Sequence, residues 1–335
     1  MSEWLRQRFW NFDTAFDESV TFWSVIVIVA LFLITWIAIF SLRFAGKLSD
    51  KAYTELIVRC RSWVVIAGLL LGPILMGPGW VMIGVCLLSI FCYREFAYAT
   101  GLSNEKTINN MALCGMLVLA FAVIDNYSRL FFACAALTVG LIAICTIPQD
   151  RPKGYIQRTS LGALGFVLFG YSFSYLGYFA NSPSYRPILI LLILCVAVND
   201  VFAYCVGKTL GGPKILPNTS PGKTWSGCVG ALVLTTLFTM TLAHFVFQGT
   251  AMDRWDRLMV LGIGMSVLGQ FGDLLLSSIK RDVGIKDLGT IIPAHGGLLD
   301  RFDSLVLVPP AAFHFLSLHL GAIGAYQPER FLTGS

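Results

Sequence analysis

A charged segment between two apolar runs carries the residue types that phosphate chemistry requires. It extends from Ser277 to Ser304 and reads SSIKRDVGIKDLGTIIPAHGGLLDRFDS, in a chain of 335 residues of which only 13% are charged. Carboxylates can hold a hard cation such as Mg²⁺, whereas lysine and arginine hold phosphate oxygens. Charges beside a bilayer are costly, so a cluster of both signs there indicates a functional site.

A second polar segment, from Asn199 to Trp225, joins two other apolar runs. Asp200 and Tyr204 stand four residues apart near the end of the first of these runs, so they share one helix face. An aspartate in a membrane helix favours a functional site. The alternative is an acid that reaches the surface or pairs with Lys208.

The loop between these two runs combines glycines, lysines and hydroxyl groups. Glycines let backbone amides approach an anion, lysines add positive charge, and hydroxyls donate hydrogen bonds. The charged and hydroxyl residues of interest are Lys208, Lys214, Ser220, Lys223 and Thr224. A nucleotide-binding P-loop is excluded, because its spacing requires glycine where Pro217 stands. The simpler alternative is a basic turn, which explains the lysines but not the Ser-Pro-x-Lys-Thr order.

The apolar run that precedes the charged segment carries its own acid, Asp273. Asp273, Ser277 and Lys280 follow one another at spacings of four and three, which places them along one helix face. Asp300 and Asp303 are three apart and would share a face if a helix begins there. Asp273 and Asp300 come from separate helices and could hold a divalent cation between them.

Two further polar residues leave alternatives open. His295 lies in the charged loop, where it could be a structural hydrogen-bonding residue, a donor to phosphate or a proton shuttle. Glu95 follows Arg94 at the end of an apolar run, where it could line a polar cavity or cap that helix.

The composition indicates which elements position these residues. The chain is 56% hydrophobic, and its 13% of charged residues compares with about 25% in soluble domains. Runs of about 20 apolar residues span a bilayer as helices, since backbone in hydrocarbon must satisfy its own hydrogen bonds. We therefore predict an all-α polytopic integral membrane protein with about ten transmembrane helices. The predicted spans are roughly 20–43, 61–76, 79–98, 109–125, 129–147, 159–180, 186–206, 227–248, 257–278 and 304–326.

The spans suggest two regions of the chain. Residues 1–60 form an N-terminal extension with one transmembrane helix, and residues 61–335 form a membrane domain with its active site mainly within 199–304. The extension begins with an aromatic segment, which we interpret as an amphipathic helix in the headgroup region or as an anchor before the first span. Its apolar residues are Trp4, Leu5, Phe9, Trp10, Phe12 and Phe16.

Cysteine spacing and charge exclude two classes of site. The nine cysteines include no CxxC pair, so neither a zinc site nor a disulfide framework is supported. The net charge of +5 does not indicate nucleic acid, because the positive-inside rule explains the distribution of lysine and arginine. With the N-terminus outside, most of the basic residues and both polar segments face the cytoplasm.

The two polar segments resemble the phosphatidate cytidylyltransferases (CDP-diacylglycerol synthases), integral membrane enzymes of phospholipid synthesis. The family signature S-x-x-K-R-x4-K-D-x-G-x3-P-x-H-G-G-x-x-D-R-x-D runs through the whole charged segment. Its matches are Ser277 or Ser278, Lys280, Arg281, Lys286, Asp287, Gly289, Pro293, His295, Gly296, Gly297, Asp300, Arg301 and Asp303. Other motifs of the family are matched at Asp200, Ala203, Tyr204, Ser220, Pro221, Lys223, Thr224, Gly272, Asp273 and Leu274.

The resemblance implies transfer of CMP from CTP to phosphatidate, which gives CDP-diacylglycerol and pyrophosphate. It implies catalytic roles for Asp273, Lys280, Arg281, Asp300 and Asp303. Asp273 and Asp300 would hold Mg²⁺, with a monovalent cation such as K⁺ left open. The residues that would bind the nucleotide and the cofactor are Asp200, Ser220, Lys223, Thr224, Lys286, Asp287, His295 and Arg301.

The chain departs from the family pattern at two positions, which keeps other functions open. Ser226 stands where the family has glutamate, and Ala294 stands where it has glycine. We expect an active enzyme; the alternatives are an inactive lipid-binding scaffold and a membrane phosphotransferase of another chemistry. The expected partners are CTP, phosphatidate and membrane lipid, with no nucleic acid. Gly68 and Gly72 form a GxxxG spacing that could pack helices. A homodimer is left open.

The expected location is an integral membrane protein whose active site lies on the cytoplasmic face, in the inner or plasma membrane if the source is bacterial.

Overall fold

The computed structural model describes residues 8–289, 296–321 and 330–334. Ten helices of this part of the chain are long and apolar enough to cross a membrane, which confirms the predicted fold class. They are α1 Ser19–Phe44, α2 Asp50–Met76, α3 Pro78–Ala99, α4 Lys106–Ile124, α5 Ser128–Gln149, α6 Tyr155–Phe179, α7 Tyr185–Leu210, α8 Trp225–Phe247, α9 Trp255–Asp282 and α10 Leu299–Leu320.

The turn between α2 and α3 is tight. α2 ends at Met76, and α3 begins with Pro78 in its first turn, where the missing N–H of proline has no partner to lose. Gly77 between them has a φ of 150°, which glycine adopts without strain. The two helices therefore form a hairpin.

The buried core lies among α3 to α10, and α1 lies at its edge. Side chains from α3, α4, α6 and α7 are the main contributors, with Phe96, Leu119, Phe169 and Leu191 among those fully buried. α1 instead forms a small separate cluster with α2 through Ile39, Ile57 and Cys60. α2 runs without a break across residue 60, and the proposed boundary of the N-terminal extension at that residue stays a prediction.

The segment predicted as a polar loop after α7 contains a small β-hairpin. Strand β1, Lys214–Leu216, pairs antiparallel with strand β2, Ser220–Thr224. Thr224 then caps α8, because its hydroxyl accepts a hydrogen bond from the Gly227 amide at 3.2 Å. The hairpin thus holds the residues before α8 in a fixed position.

The aromatic segment before α1 packs on the protein at the end of the α2–α3 hairpin. The Trp80 indole donates to the Phe9 carbonyl, and the Phe9 ring lies so close to Gly79 that a Cβ there would clash. Trp10, Phe12 and Phe16 remain exposed. Trp4 and Leu5 lie outside the described residues, and the interfacial role of the segment stays a prediction.

Arg8 and Asp125 hold the first and the last described residues at the same end of the molecule as the α2–α3 turn. Arg8 donates to the Asn181 side chain and the Ile124 carbonyl, and its guanidinium lies 3.8 Å from the centre of the Phe331 ring. The Asp125 carboxylate accepts hydrogen bonds from the Leu332 amide and from the amide and hydroxyl of Thr333. We call this set of contacts the terminal clasp.

Asp125 makes the terminal clasp sensitive to pH. Burial alone would raise the pKa of its carboxyl, but hydrogen bonds from Thr333 and Leu332 and the charge of Arg330 outweigh burial, so the pKa lies below its usual value. A carboxyl with a lowered pKa in the folded protein stabilises the fold above its unfolded pKa. That contribution is lost as the pH falls through the folded pKa.

We expect Asp125→Asn to lower the melting temperature at pH 7, because a buried charged acceptor of several hydrogen bonds is worth about 1.5–3 kcal/mol for each bond. The difference from the parent should shrink as the pH falls below about 4, the ordinary range of an aspartyl carboxyl. Thermal unfolding of the two detergent-solubilised proteins between pH 7 and pH 3 measures it. A difference that stays constant over this range would contradict the assigned role of the carboxylate.

Candidate active site

Five predicted site residues meet at the end of the molecule opposite the terminal clasp. They come from the C-terminal halves of α7 and α9, the start of α10, and strand β2. The residues are Asp200, Lys223, Asp273, Lys280 and Asp303, and contacts among them and with Ser304 join them. The structure thus brings the two polar segments of the sequence into one site.

Lys223 is held by an acid of α9. Its ammonium lies 2.6 Å from a carboxylate oxygen of Asp273 and 3.4 Å from the Gln270 carbonyl oxygen. Both charged side chains are mostly buried, at 16% and 24% exposed. The cation predicted to bind phosphate is therefore paired with the acid predicted to bind metal.

Three carboxylates converge beside this ion pair. Asp303 is in side-chain contact with Asp273, and both interact electrostatically with Asp200. Asp200 also accepts a hydrogen bond from the Ser304 hydroxyl at 2.9 Å. Lys280 approaches this group, with its ammonium 4.0 Å from Asp303. Like charges so close together favour a bound cation.

Asp300 differs from the other acids, because the protein itself occupies its carboxylate. One oxygen accepts from the Lys280 ammonium at 3.0 Å, and the other accepts from the Leu288 and Gly297 amides at 2.9 and 3.0 Å. The side chain is only 4% exposed. Asp300 therefore joins Lys280 of α9 to the charged segment at Leu288 and at Gly297.

The donor set fits Mg²⁺ through Asp273 and Asp303. Among the described residues, no three His, Cys, Asp or Glu side chains form a ready-made metal site. A complete cage is not needed, since Mg²⁺ usually takes one or two carboxylates together with substrate phosphates and waters. Two adjacent acids on different helices meet that requirement. The predicted partnership of Asp273 with Asp300 stays a prediction, and the contacts favour Asp303 in its place.

The other predicted residues lie around the site with varied roles. Arg281 is exposed and donates to the carbonyls of Thr219 and Ile285. Ser220 is half-buried at the start of β2, and the Thr224 hydroxyl is used in capping α8. Lys286 and Asp287 are exposed, and Arg301 is half-buried. His295 lies outside the described residues.

Ser226 takes no part in orienting Lys223. Its hydroxyl donates to the Gly211 carbonyl and lies 3.1 Å from the Thr224 hydroxyl, so it ties the end of α7 to the start of α8. Lys223 points to Asp273 instead. The partner of the lysine is thus an acid of α9, and a residue at position 226 is not needed to hold it.

Sequence reasoning missed a buried polar layer directly below the carboxylates. The Asn199 side-chain oxygen accepts from Ser266 at 2.6 Å and from Thr235 at 3.1 Å, and Gln270 donates to Ser266. These residues join α7, α8 and α9 where the helices carry Asp200 and Asp273. The sequence offered one signal of this layer, because the polar residue Asn199 directly precedes Asp200 in an apolar run.

Glu95 does not cap its own helix, and its alternative role in lining a polar cavity stays a prediction. Its two oxygens accept hydrogen bonds from the backbone amides of Leu298 and Leu299, at the start of α10. The contact spans most of the chain, and no local pattern could have predicted it.

Comparisons with known proteins identify the family of the chain. A model of the cytidylyltransferase family matches residues 57–319. The chain is 31% identical over 257 residues to the phosphatidate cytidylyltransferase of Brucella abortus (strain 2308), covering 75% of this chain and 91% of the relative. It is 35% identical over 195 residues to the phosphatidate cytidylyltransferase of Staphylococcus saprophyticus, covering 50% and 74%.

A further relative is the protein YnbB of Escherichia coli (strain K12), at 26% identity over 276 residues, with 81% of this chain and 90% of the relative covered. The family match covers well over half of the chain, and it agrees with the resemblance and the nucleotidyltransferase class predicted from the sequence. The protein therefore belongs to the cytidylyltransferase family.

Proposed function

We propose that this protein transfers CMP from CTP to phosphatidate, giving CDP-diacylglycerol and pyrophosphate. The names of its Brucella and Staphylococcus relatives support these substrates. The observation that carries the proposal is the meeting of Lys223 and Lys280 with Asp273 and Asp303 at one end of a membrane bundle. Cations and metal-binding acids at a membrane surface suit a reaction between a lipid phosphate and a nucleotide.

The reaction joins two anions. An oxygen of the lipid phosphate forms a bond to the α-phosphorus of CTP, and the bond from that phosphorus to the bridging oxygen breaks, so pyrophosphate leaves with the electron pair. Such a transfer depends on positioning and on charge neutralisation more than on covalent catalysis. Bound Mg²⁺ would neutralise phosphate oxygens, with Asp273 and Asp303 as its protein ligands.

The lysines have complementary roles in this proposal. Lys223 is placed to exchange the Asp273 carboxylate for a phosphate of CTP, since both partners offer anionic oxygens to one flexible ammonium. Lys280 is more deeply buried and bound to Asp300, so it serves as a fixed positive charge next to Asp303. Arg281 lies at the rim, where it could meet the lipid phosphate.

We place the site on the cytoplasmic face. Most of the lysines and arginines in the loops fall on the side of the protein that carries the site, and the positive-inside rule assigns that side to the cytoplasm. CTP is found in the same compartment.

Asp273→Asn should reduce activity by at least about 100-fold, because it removes a charge that faces metal and phosphate and keeps the side-chain volume. Asp303→Asn should reduce activity to a similar extent, and both variants should still fold, Asp273→Asn with a lower melting temperature because Lys223 would lose its anion. Asp300→Asn should lower the melting temperature as well, since Lys280 would be left buried without its closest anion. The assay is CTP-dependent pyrophosphate release with phosphatidate at limiting Mg²⁺.

Near-parental activity of Asp273→Asn at limiting Mg²⁺ would overturn the metal assignment. A parent protein that is inactive with every phosphatidate tried would overturn the proposed activity. It would favour a lipid-binding scaffold or another membrane phosphotransferase.

Lys223→Met should raise the KM for CTP by about 10- to 100-fold, the scale of a lost charged hydrogen bond, and change the KM for phosphatidate less. Lys214→Met is the matched control, because Lys214 is an exposed lysine on the neighbouring strand of the same hairpin. Steady-state kinetics with each substrate varied in turn measures the effect. Equal loss for both substrates would show that Lys223 organises the whole site, and unchanged kinetics would favour a basic turn without a role in binding.

A further inference from the structure

A buried carboxylate of α3 contacts the segment that carries the catalytic acids. Glu95 is 6% exposed, and each of its oxygens accepts one backbone hydrogen bond. The Leu298 amide donates to one oxygen at 2.9 Å, and the Leu299 amide donates to the other at 2.7 Å. A buried carboxylate is stable only with such partners, so the contact fixes the start of α10 relative to α3.

Two glycines form a cradle around the same carboxylate. A Cβ on Gly289 would lie 2.4 Å from one Glu95 oxygen, and a Cβ on Gly297 would lie 2.8 Å from the other. Only residues without a side chain permit this approach. Gly289 and Gly297 lie on either side of the undescribed residues 290–295, so Glu95 touches both described ends of the charged loop.

Asp300 completes the arrangement from the other direction. It directly follows the two amides that Glu95 binds, and its own carboxylate accepts from the Leu288 and Gly297 amides and from Lys280. Two buried carboxylates thus hold the same short stretch of backbone. Three residues further on, this backbone presents Asp303 to Asp273.

We propose that Glu95 is a positioning residue of the transferase: by binding the Leu298 and Leu299 amides, it sets the position of the Asp300–Asp303 turn, and hence of the Asp303 carboxylate and the Lys280 ammonium. The role rests on the proposed function, because it is the transfer reaction that needs these groups in place. In this role Glu95 acts through the backbone of residues 298 and 299.

Glu95→Gln tests this role with little change in volume. The amide offers one oxygen where the carboxylate offers two, so one backbone N–H loses its acceptor and faces an NH₂ group. Outer partners of a metal site typically contribute 10- to 100-fold to activity or metal affinity. We expect transfer activity to fall by about 10- to 100-fold and the Mg²⁺ concentration for half-maximal activity to rise.

Hydrogen–deuterium exchange gives a readout that does not depend on activity. Peptides that cover residues 286–289 and 296–305 should exchange faster in Glu95→Gln than in the parent, and peptides from the terminal clasp should not change. Asp125→Asn is the matched control, because it alters another buried carboxylate that binds backbone amides, on the opposite face. It should accelerate exchange at the clasp and leave the kinetics unchanged.

A double-mutant cycle tests the contact itself. Gly289→Ala should be harmful in the parent, where the new methyl group meets the Glu95 carboxylate, and much less harmful in Glu95→Ala, where that carboxylate is gone. Coupling of the two substitutions supports the direct contact. Additive effects would overturn it.

The outcomes separate this role from the proposed function. An inactive parent would refute the proposed function, while the exchange data would still decide whether Glu95 holds the loop. An active parent with parental kinetics and exchange in Glu95→Gln would overturn the positioning role. Faster exchange throughout the protein, with a lower melting temperature and no rise in the Mg²⁺ requirement, would also overturn it, because it would make Glu95 a general stabilising residue.

Discussion

Neutralisation of charge at the membrane edge is the constraint on which the site depends. Lys223 meets Asp273, and Lys280 meets Asp300, in places where each side chain is mostly removed from water. A buried charge without its partner destabilises a protein by several kcal/mol, so each pair binds its two elements together. The first pair attaches the β-hairpin to α9, and the second attaches α9 to the start of α10. The groups suited to phosphate chemistry thus also hold the site together.

Close helix packing allows these charges to meet. A Cβ on Gly230 of α8 would clash with Val206 of α7, and a Cβ on Gly262 of α9 would clash with Thr236 of α8. A Cβ on Gly272, which precedes Asp273, would likewise clash with the Asp303 carbonyl oxygen. In a membrane, where apolar contacts between helices have little advantage over contacts with lipid, small residues at the interface provide the packing. The carboxylates of α7, α9 and α10 converge because the backbones can approach.

The sequence predicted those parts of the structure that depend on local pattern. The ten helices follow from runs of apolar residues of sufficient length, and the helical spacing of Asp273 and Lys280 places them on one face. The β-hairpin was missed, because its residues are polar and rich in glycine and proline and resemble those of a loop. The partners of Asp300 and Glu95 were missed for another reason. Both bind backbone amides, whose positions depend on the path of the chain and not on residue type.

The terminal clasp has a consequence for the order in which this protein is assembled. Arg8 precedes α1 and is synthesised before all ten described membrane helices, yet its guanidinium packs on Phe331, which follows α10. Asp125, at the end of α4, likewise takes its hydrogen bonds from residues 332 and 333. Neither residue can acquire these partners until α10 has been inserted. The terminal clasp therefore forms only after residues 331–333 have been synthesised, and a chain cut short after α10 would lack these contacts.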